Sequence, residues 1–303
     1  MFDLITIGNI SIDIFFQGES LTFKDNRFQL AVGGKYFADK VFESVGGGGA
    51  NVAIGASKHA LKTAVIGKIG NNPFKKIIID RLKLNNVSIK LCHQKNNYLN
   101  ISTILLAKNG ERSIIHYSSP HQKIIENKQD WHRLANTKAV YMGNLPDVSL
   151  TEKIEILRFL KKNNILSFVN LGVSDCRKTK DQLKKLLENI DVLIINNYEF
   201  SEMVKAPVSD INFSDNIIKW YIPYLKNNII IITSGKLGSF SYYLDNVQHV
   251  PAQKINHIVD TTGAGDGYCA GFISEYLKTK NITQAMKNGV KYASRIIAKI
   301  GGN

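Results

Sequence analysis

The chain is poor in cysteine, and its three cysteines, Cys92, Cys176 and Cys269, lie far apart with no C-x-x-C spacing. An odd, scattered set excludes a disulfide framework and argues against a thiolate zinc site, so reduced buried thiols are expected. Long hydrophobic runs are missing too: no stretch approaches the roughly 20 apolar residues that a membrane-spanning helix needs. The N-terminal "MFDLITIGNISIDIFF" lacks a charged segment followed by a cleavage site, which reads as a cytoplasmic protein with no membrane partner. G-x-x-x-x-G-K-[ST] does not occur, which excludes a Walker-type NTPase. G-x-G-x-x-G fails because Tyr268 and Val52 stand where its last glycine should be, so a dinucleotide-binding oxidoreductase is the weaker enzyme reading. The seven histidines show no metal-ligating spacing, and no internal repeat or low-complexity tract is present.

Acidic residues are scarce relative to basic ones, 25 against 39, giving a net charge of +14. Clustered cations would point to nucleic acid, but here lysine is dispersed among asparagine in "KKNN", "LKNN" and "HQKNNYLN". A solvated basic surface is the better account, and its field would draw in an anionic substrate. A hydrophobic content of 44% over 303 residues is enough for a buried core.

The opening "DLITIGNISID" reads as a strand ending near Gly8, Asn9 and Asp13. Residues 21 to 45 lack helical periodicity and carry turn signals at Asp25-Asn26 and Gly33-Gly34, which predicts strands of a small sheet. After Gly46 to Gly49 the pattern switches: "ANVAIGASKHAL" is helical, "TAVIGKIG" a strand, and "NPFKKIIIDRLKLN" a helix with Pro73 in its first turn. "ISTILLAKNGERSIIHY" gives two strands about Asn109-Gly110, a hairpin signal that joins the accessory sheet. From about residue 127, helices alternate with the apolar strands "KAVYMGN", "ILSFVNLG", "DVLIINN" and "NIIIITSG", and a Ser149-x-x-Glu152 capping box opens "SLTEKIEILRFLKKNN". This alternation predicts an α/β domain: a mostly parallel sheet covered by helices on both faces, with the accessory strands as an insertion. Ligands of such sheets sit beyond the carboxyl ends of the strands, which singles out Asn9, Asn144, Asn170, Asn196, Thr233 and Asp260.

In "VDTTGAGDGYCAGF" the apolar residues Cys269, Phe272, Ile273, Tyr276 and Leu277 fall on one helical face, so Asp266 is in the first turn of a helix. An acidic residue there can simply complement the helix dipole. The glycines ask for more: Gly263 and Gly265 leave backbone N–H groups bare for an anion at the helix N-terminus. A carboxylate beside an anion site is unfavourable unless it acts there, and taking a proton from a hydroxyl that attacks a phosphoryl group is such an action.

That stretch resembles the C-terminal signature of the PfkB (ribokinase-like) family of carbohydrate kinases, and "GGGGANVAIGASKHALKTAVIGKIG" resembles its N-terminal one. The resemblance spans nearly the whole chain. It implies a single three-layer α/β/α domain over residues 1–303 with a small β-sheet lid, here about 14–45 and 97–118. It implies an ATP-dependent kinase that moves the γ-phosphoryl of MgATP to a hydroxymethyl group of a ribose- or fructose-like sugar. By position, Asp266 is similar to the catalytic base, and Gly263, Ala264 and Gly265 to the anion hole. Asp13, Gly46, Gly47, Asn51 and Asn144 resemble substrate-binding residues. Asn196, Thr233, Gly235, Gly238 and Asn288 fall on the nucleotide side, and Glu199, in the N-x-x-E element, positions Mg2+. Asp260 and Thr262 resemble a pair that in some members helps bind a monovalent cation such as K+.

The lid aromatics Phe15, Phe16, Phe23 and Tyr36 leave room for a stacked base, which keeps a nucleoside kinase as the alternative. A non-catalytic sugar-binding protein would have lost Asp266 or the loop glycines, and a nucleic-acid-binding protein would rest on charge alone. Arg112 reads first as a solvated hairpin arginine and second as a contact for a phosphate already on the substrate. The family resemblance also implies a homodimer formed through the lid. The chain stops at "KIGGN" directly after its last helix, where family members often continue with a closing segment, so a more open nucleotide pocket is expected.

Overall fold

The four isoleucines of "NIIIITSG" show how this sequence builds its core: Ile229 and Ile231 enter one hydrophobic cluster, Ile230 and Ile232 another. A strand whose successive side chains point to opposite faces can be apolar throughout only if both faces are covered. The computed structural model, which describes all residues except 26, 108–110, 121–122, 256–258, 300 and 303, shows that cover.

The strands are β1 (Phe2–Ile7), β2 (Ser11–Gln17), β3 (Phe23–Lys24), β4 (Arg27–Phe28), β5 (Lys40–Gly46), β6 (Thr63–Gly70), β7 (Val87–Ser88), β8 (Cys92–Lys95), β9 (Asn100–Leu106), β10 (Arg112–Ser118), β11 (Thr137–Met142), β12 (Leu166–Val169), β13 (Val192–Asn196), β14 (Ile229–Thr233), β15 (Ser239–Tyr243) and β16 (Asn246–Val250). The helices are α1 (Gly48–Lys58), α2 (Lys75–Leu84), α3 (Lys128–Ala135), α4 (Leu150–Lys162), α5 (Val173–Cys176), α6 (Lys180–Leu187), α7 (Asn197–Val204), α8 (Ile217–Tyr221), α9 (Ala264–Thr279) and α10 (Ile282–Ile297).

The large sheet runs β16-β15-β14-β13-β12-β11-β1-β6-β7, with β8 also beside β6. Pairings from β6 to β14 are parallel, and β15 and β16 turn antiparallel at one edge. Side chains of α4, α6 and α7 cover one face, those of α1, α9 and α10 the other. The strand order reverses around β1, which has β6 on one side and β11 on the other; in sheets of this kind a crevice opens at that point. The lid is a second sheet, β10-β9-β2-β5, in which β2 and β9 are parallel and the other neighbours antiparallel.

Two local expectations need correction. Among the described residues between 21 and 45, only the two-residue pair β3 and β4 and the strand β5 form, because most of residues 29 to 39 lie exposed and meet no neighbouring strand. The capping box of α4 is only half made: Ser149 Oγ accepts from the Glu152 N–H at 3.2 Å, but the Glu152 carboxylate accepts from the N–H groups of Ile124 and Ile125 at 2.8 and 3.1 Å. Glu152 thus ties the preceding loop to the helix. The hairpin turn at Asn109-Gly110 and the Asn26 half of the earlier turn signal lie outside the described residues. The cysteines are free thiols, and burial pushes Cys92 and Cys176 up to about 12 each. Among the described residues, no helix is long and apolar enough to cross a membrane.

Candidate active site

Helices α1 and α9 approach so closely that a Cβ on Gly55 would lie 2.5 Å from Ala270 Cβ. The small-residue contact brings their N-termini together, and with them Asn51 and Asp266, which are 215 positions apart in the chain. Asn51 Nδ2 donates to Asp266 Oδ2 at 2.8 Å. Gly48 faces the other carboxylate oxygen, so both helix termini border this group. Asp266 keeps part of its surface open to the crevice, yet protein surrounds it on most sides. Burial pushes its carboxyl above the usual range, the Asn51 amide draws it back, and the negative charge of Asp13 raises it further.

The anion loop begins at Gly263, whose φ of 75° makes it the left-handed cap of α9. A Cβ there would also collide with Gly302 at 2.3 Å, so both conformation and space demand glycine. Gly265 is different: a Cβ would meet nothing within 4 Å. No packing reason requires glycine at that position; the open volume lies in front of the first-turn N–H groups, where an anionic phosphoryl group fits.

On the acceptor side Asp13 is buried in β2, and Gly46 of the neighbouring β5 leaves the space its carboxylate fills, since a Cβ there would come within 1.9 Å of Asp13 Oδ2. Ser11 Oγ donates to Asp13 Oδ1 at 3.0 Å, and Ser102 of β9 also bonds the carboxylate. Burial raises the Asp13 carboxyl; these hydroxyls and nearby His116 oppose that shift. His116 Nδ1 lies 3.1 Å from Ser102 Oγ, so the lid extends the polar chain. Gly47, with φ of 88°, caps α1. Asn144 sits exposed just past β11, its amide against Gly172.

Beside the anion loop lies a cavity of about 560 Å³. The expected Thr233, Gly235 and Gly238 line it, together with Ala264 and Gly265 of the anion loop. Lys236, Lys254, Ile255, Val290 and Ala293 are among the other wall residues, and sequence reasoning missed them. Asn288 is not in this wall: its Nδ2 donates to the Gly271 carbonyl at 2.8 Å and fastens α10 to α9. Asn196 and Glu199 form a reciprocal cap at the start of α7, with Glu199 N–H to Asn196 Oδ1 at 2.7 Å and Asn196 N–H to Glu199 Oε2 at 2.8 Å. Burial raises Glu199, and the Asn196 N–H opposes that shift. The cap engages Oε2 of the carboxylate, which suits an indirect hold on a hydrated magnesium ion.

Asp260 is fully buried. Its Oδ1 accepts from the Thr262 N–H at 2.8 Å and the Thr262 hydroxyl at 2.6 Å, and its Oδ2 from the Gly301 N–H at 3.1 Å. Arg112, at the first position of β10, is not a solvated hairpin residue: its guanidinium donates to the Thr261 hydroxyl, and its Nε lies 3.7 Å from Asp260 Oδ1. After α10, Gly301 and Gly302 are buried and pack against Gly263, Asn51 and Ser44, so they brace the start of the anion loop.

The family described as pfkB family carbohydrate kinase matches residues 2–303. Among relatives, the chain is 25% identical to a nucleoside kinase of Methanocaldococcus jannaschii, over 97% of this chain and 90% of that one. It is 23% identical to a 5-dehydro-2-deoxygluconokinase of Clostridium botulinum, over 98% and 87% of the respective chains. The structure of Arabidopsis thaliana ribokinase complexed with ribose and ATP superposes with a TM-score of 0.80 at 21% identity, covering 99% of this chain and 94% of that one.

Proposed function

Because the chain belongs to the pfkB family of carbohydrate kinases, we propose that it transfers the γ-phosphoryl of ATP to a hydroxymethyl group of a ribose- or fructose-like sugar. The observation that carries this reading is Asp266. It is a carboxylate with a raised pKa, positioned by Asn51 beside open backbone at Gly265 and on the same side as Asp13. Asp13 and Asn51 hold the polyol, a vicinal diol offering two donors to one carboxylate. Asp266 takes the proton of the attacking hydroxyl, and its raised pKa makes it a stronger base than an ordinary carboxylate. The N–H groups of Gly263 and Gly265 would face the charge that develops on the transferring group, whereas the Ala264 N–H donates to the Thr261 carbonyl at 3.3 Å and would have to turn from it to join them. With the nucleotide bound, magnesium supplies charge neutralisation at its phosphates, and Glu199 and Asn196 are the residues that would hold its water shell. Ile255, Val290 and Ala293 form an apolar slot suited to the base, while Lys236 and Lys254 complement the phosphates.

The polar row Ser11, Asp13, Ser44, Ser102 and His116 favours a sugar. A nucleoside is the second reading: Phe15, on the same lid face as Asp13, is itself fully buried and packs on Phe42 at 5.5 Å between centroids, so the half-buried Phe42 is the ring that a base would meet. Phe23 is engaged instead with Phe28, and Tyr36 with the Ala31 N–H. A second copy of the chain suits the outer lid face, where Val41, Ile115 and Tyr117 are more than half exposed; light scattering after gel filtration tests this. Nucleic acid is not among the proposed partners.

The test is ADP release with MgATP against sugars, sugar acids, nucleosides and fructose 6-phosphate, beside Asp266→Asn. Turnover on one acceptor that disappears in the variant supports the reaction and the base. Silence across the panel together with no binding of MgATP would sink the kinase reading.

A further inference from the structure

The carboxylate of Asp260 was expected to help hold a monovalent cation, but the residues around it do not leave it free for one. Every atom of Asp260 is removed from solvent, and its two oxygens already receive the Thr262 N–H, the Thr262 hydroxyl and the Gly301 N–H. These donors are neutral. A buried carboxylate still needs a countercharge, because neutral hydrogen bonds do not cancel the cost of removing an ion from water. The cation paired with it is Arg112, Nε to Oδ1 at 3.7 Å. Buried Arg112 Nε has no hydrogen-bond partner among the described residues, so its charge is directed at the Asp260 carboxylate. The other end of the guanidinium holds the Thr261 hydroxyl, and Thr261 borders the nucleotide cavity. A potassium ion brought to the same carboxylate would sit against this fixed positive charge and compete for the same oxygen.

On the kinase reading above, we propose that the Arg112 guanidinium is the built-in cation of the anion loop, standing where a monovalent ion would otherwise be bound. The contact joins residues 149 positions apart, from the lid to the loop that opens α9. Arg112 therefore neutralises Asp260 and holds residues 260 to 265 in register with the lid. It is a positioning residue, and its consequence is an enzyme whose anion loop is formed without potassium. The argument concerns a charge inside this chain, so it can be tested without knowing the acceptor.

MgADP affinity by calorimetry and the unfolding midpoint would be measured for the full chain in potassium chloride and in N-methylglucamine chloride, both at about 0.1 M ionic strength so that screening is equal. Wild type should bind MgADP within about twofold of the same affinity in both salts, well below the fivefold or greater change typical of a coupled site. Arg112→Met should lose at least about fivefold in N-methylglucamine and regain most of it in potassium, with the midpoint following the same order. Arg112→Lys, which keeps the charge, should stay potassium-independent. The double variant Arg112→Met with Asp260→Asn, which lacks the buried charge, should not respond to potassium either, and it guards against a single variant that fails to fold. A wild type whose affinity depends fivefold or more on potassium overturns the proposal. So does an Arg112→Met protein that behaves as wild type in N-methylglucamine, or one whose loss no cation restores, which would make Arg112 a steric contact only. Absence of MgADP binding in every salt would count against the kinase reading, while the unfolding midpoints would still decide the role of Arg112.

Discussion

On one side of Gly265 lies a cavity walled by Ile255, Val290, Ala293 and Ile297, with bare backbone at Gly235 and Gly238. On the other side, Asn51 holds Asp266 at 2.8 Å, and the charge of Asp13, in lid strand β2, acts on the same carboxylate. The cavity wall offers shape and apolar surface rather than buried charge, and keeping that surface in water costs less than burying an ion. The acceptor side is held under electrostatic load. Burial raises both Asp13 and Asp266, and Asp13 raises Asp266 again. A carboxyl with a folded-state pKa above its unfolded value stabilises the fold in full only below the unfolded value. That contribution is lost as pH rises through the folded value, so near neutrality the ionised pair weakens the fold. On the proposed reaction, the carboxylate side trades more stability for chemistry than the cavity does.

Replacing the base should separate the two sides most sharply. Asp266→Asn removes the proton acceptor and should lower kcat by about 10³-fold, within the 10²–10⁴-fold usual for general-base loss. It also removes a raised carboxylate, while the new amide oxygen can still accept from Asn51. The unfolding midpoint should therefore equal or exceed that of wild type at neutral pH, and MgADP affinity should be unchanged. A variant that is both inactive and markedly less stable would mean that Asp266 supports the fold by its charge, contrary to the comparison.

Gly265→Ala probes the boundary itself. A Cβ there meets no protein atom within 4 Å, so the fold should tolerate it, whereas a phosphoryl group displaced by about 1 Å loses roughly 10²-fold in rate. Steady-state kinetics should show that loss with an unchanged midpoint. Gly263→Ala is the contrast: its positive φ and its contact with Gly302 make it a destabilising change.

The reading from sequence divides along the same line. Asp266 and Gly265 stood out because their local pattern has a chemical reading, and Asn51 and Asp13 by family resemblance; the structure brings Asn51 to Asp266 and sets the Asp13 charge near it. The parallel sheet was legible because strands such as β14 are apolar on both faces. Ile255, Val290 and Ala293 were not, because each is an ordinary apolar residue and the slot exists only where the segment after β16 meets α10. Asn288 misled for the related reason that one helix position decides between facing the cavity and facing Gly271. Arg112 was assigned to solvent because hairpin arginines usually are; its partner, Asp260, is 148 residues away and reached only through the lid. Residues 29 to 39 misled because a lack of helical periodicity does not supply a strand partner.

A titration would sharpen the electrostatic half of the comparison. The Asn51 amide lowers the Asp266 carboxyl, so Asn51→Ala should raise it further. Asp266 must be ionised to accept a proton. The acid limb of the pH profile of kcat should then move to higher pH, with activity recovered on the alkaline side. A limb that stays in place would assign the titration to another group, Asp13 first.

The smallest effect is expected where the structure moved a residue out of the site. Asn288 binds the Gly271 carbonyl between α9 and α10, and that carbonyl is left without its side-chain donor in Asn288→Ala. The loss should be about 1 kcal/mol of stability, the usual net worth of one such hydrogen bond. Because Asn288 lies outside the cavity wall, MgADP affinity should change by less than about twofold, as expected for sites that share no partner. A large drop in affinity with an unchanged unfolding midpoint would return Asn288 to the nucleotide. It would also show that the cavity closes further around its ligand, which would make the nucleotide side as responsive to binding as the acceptor side.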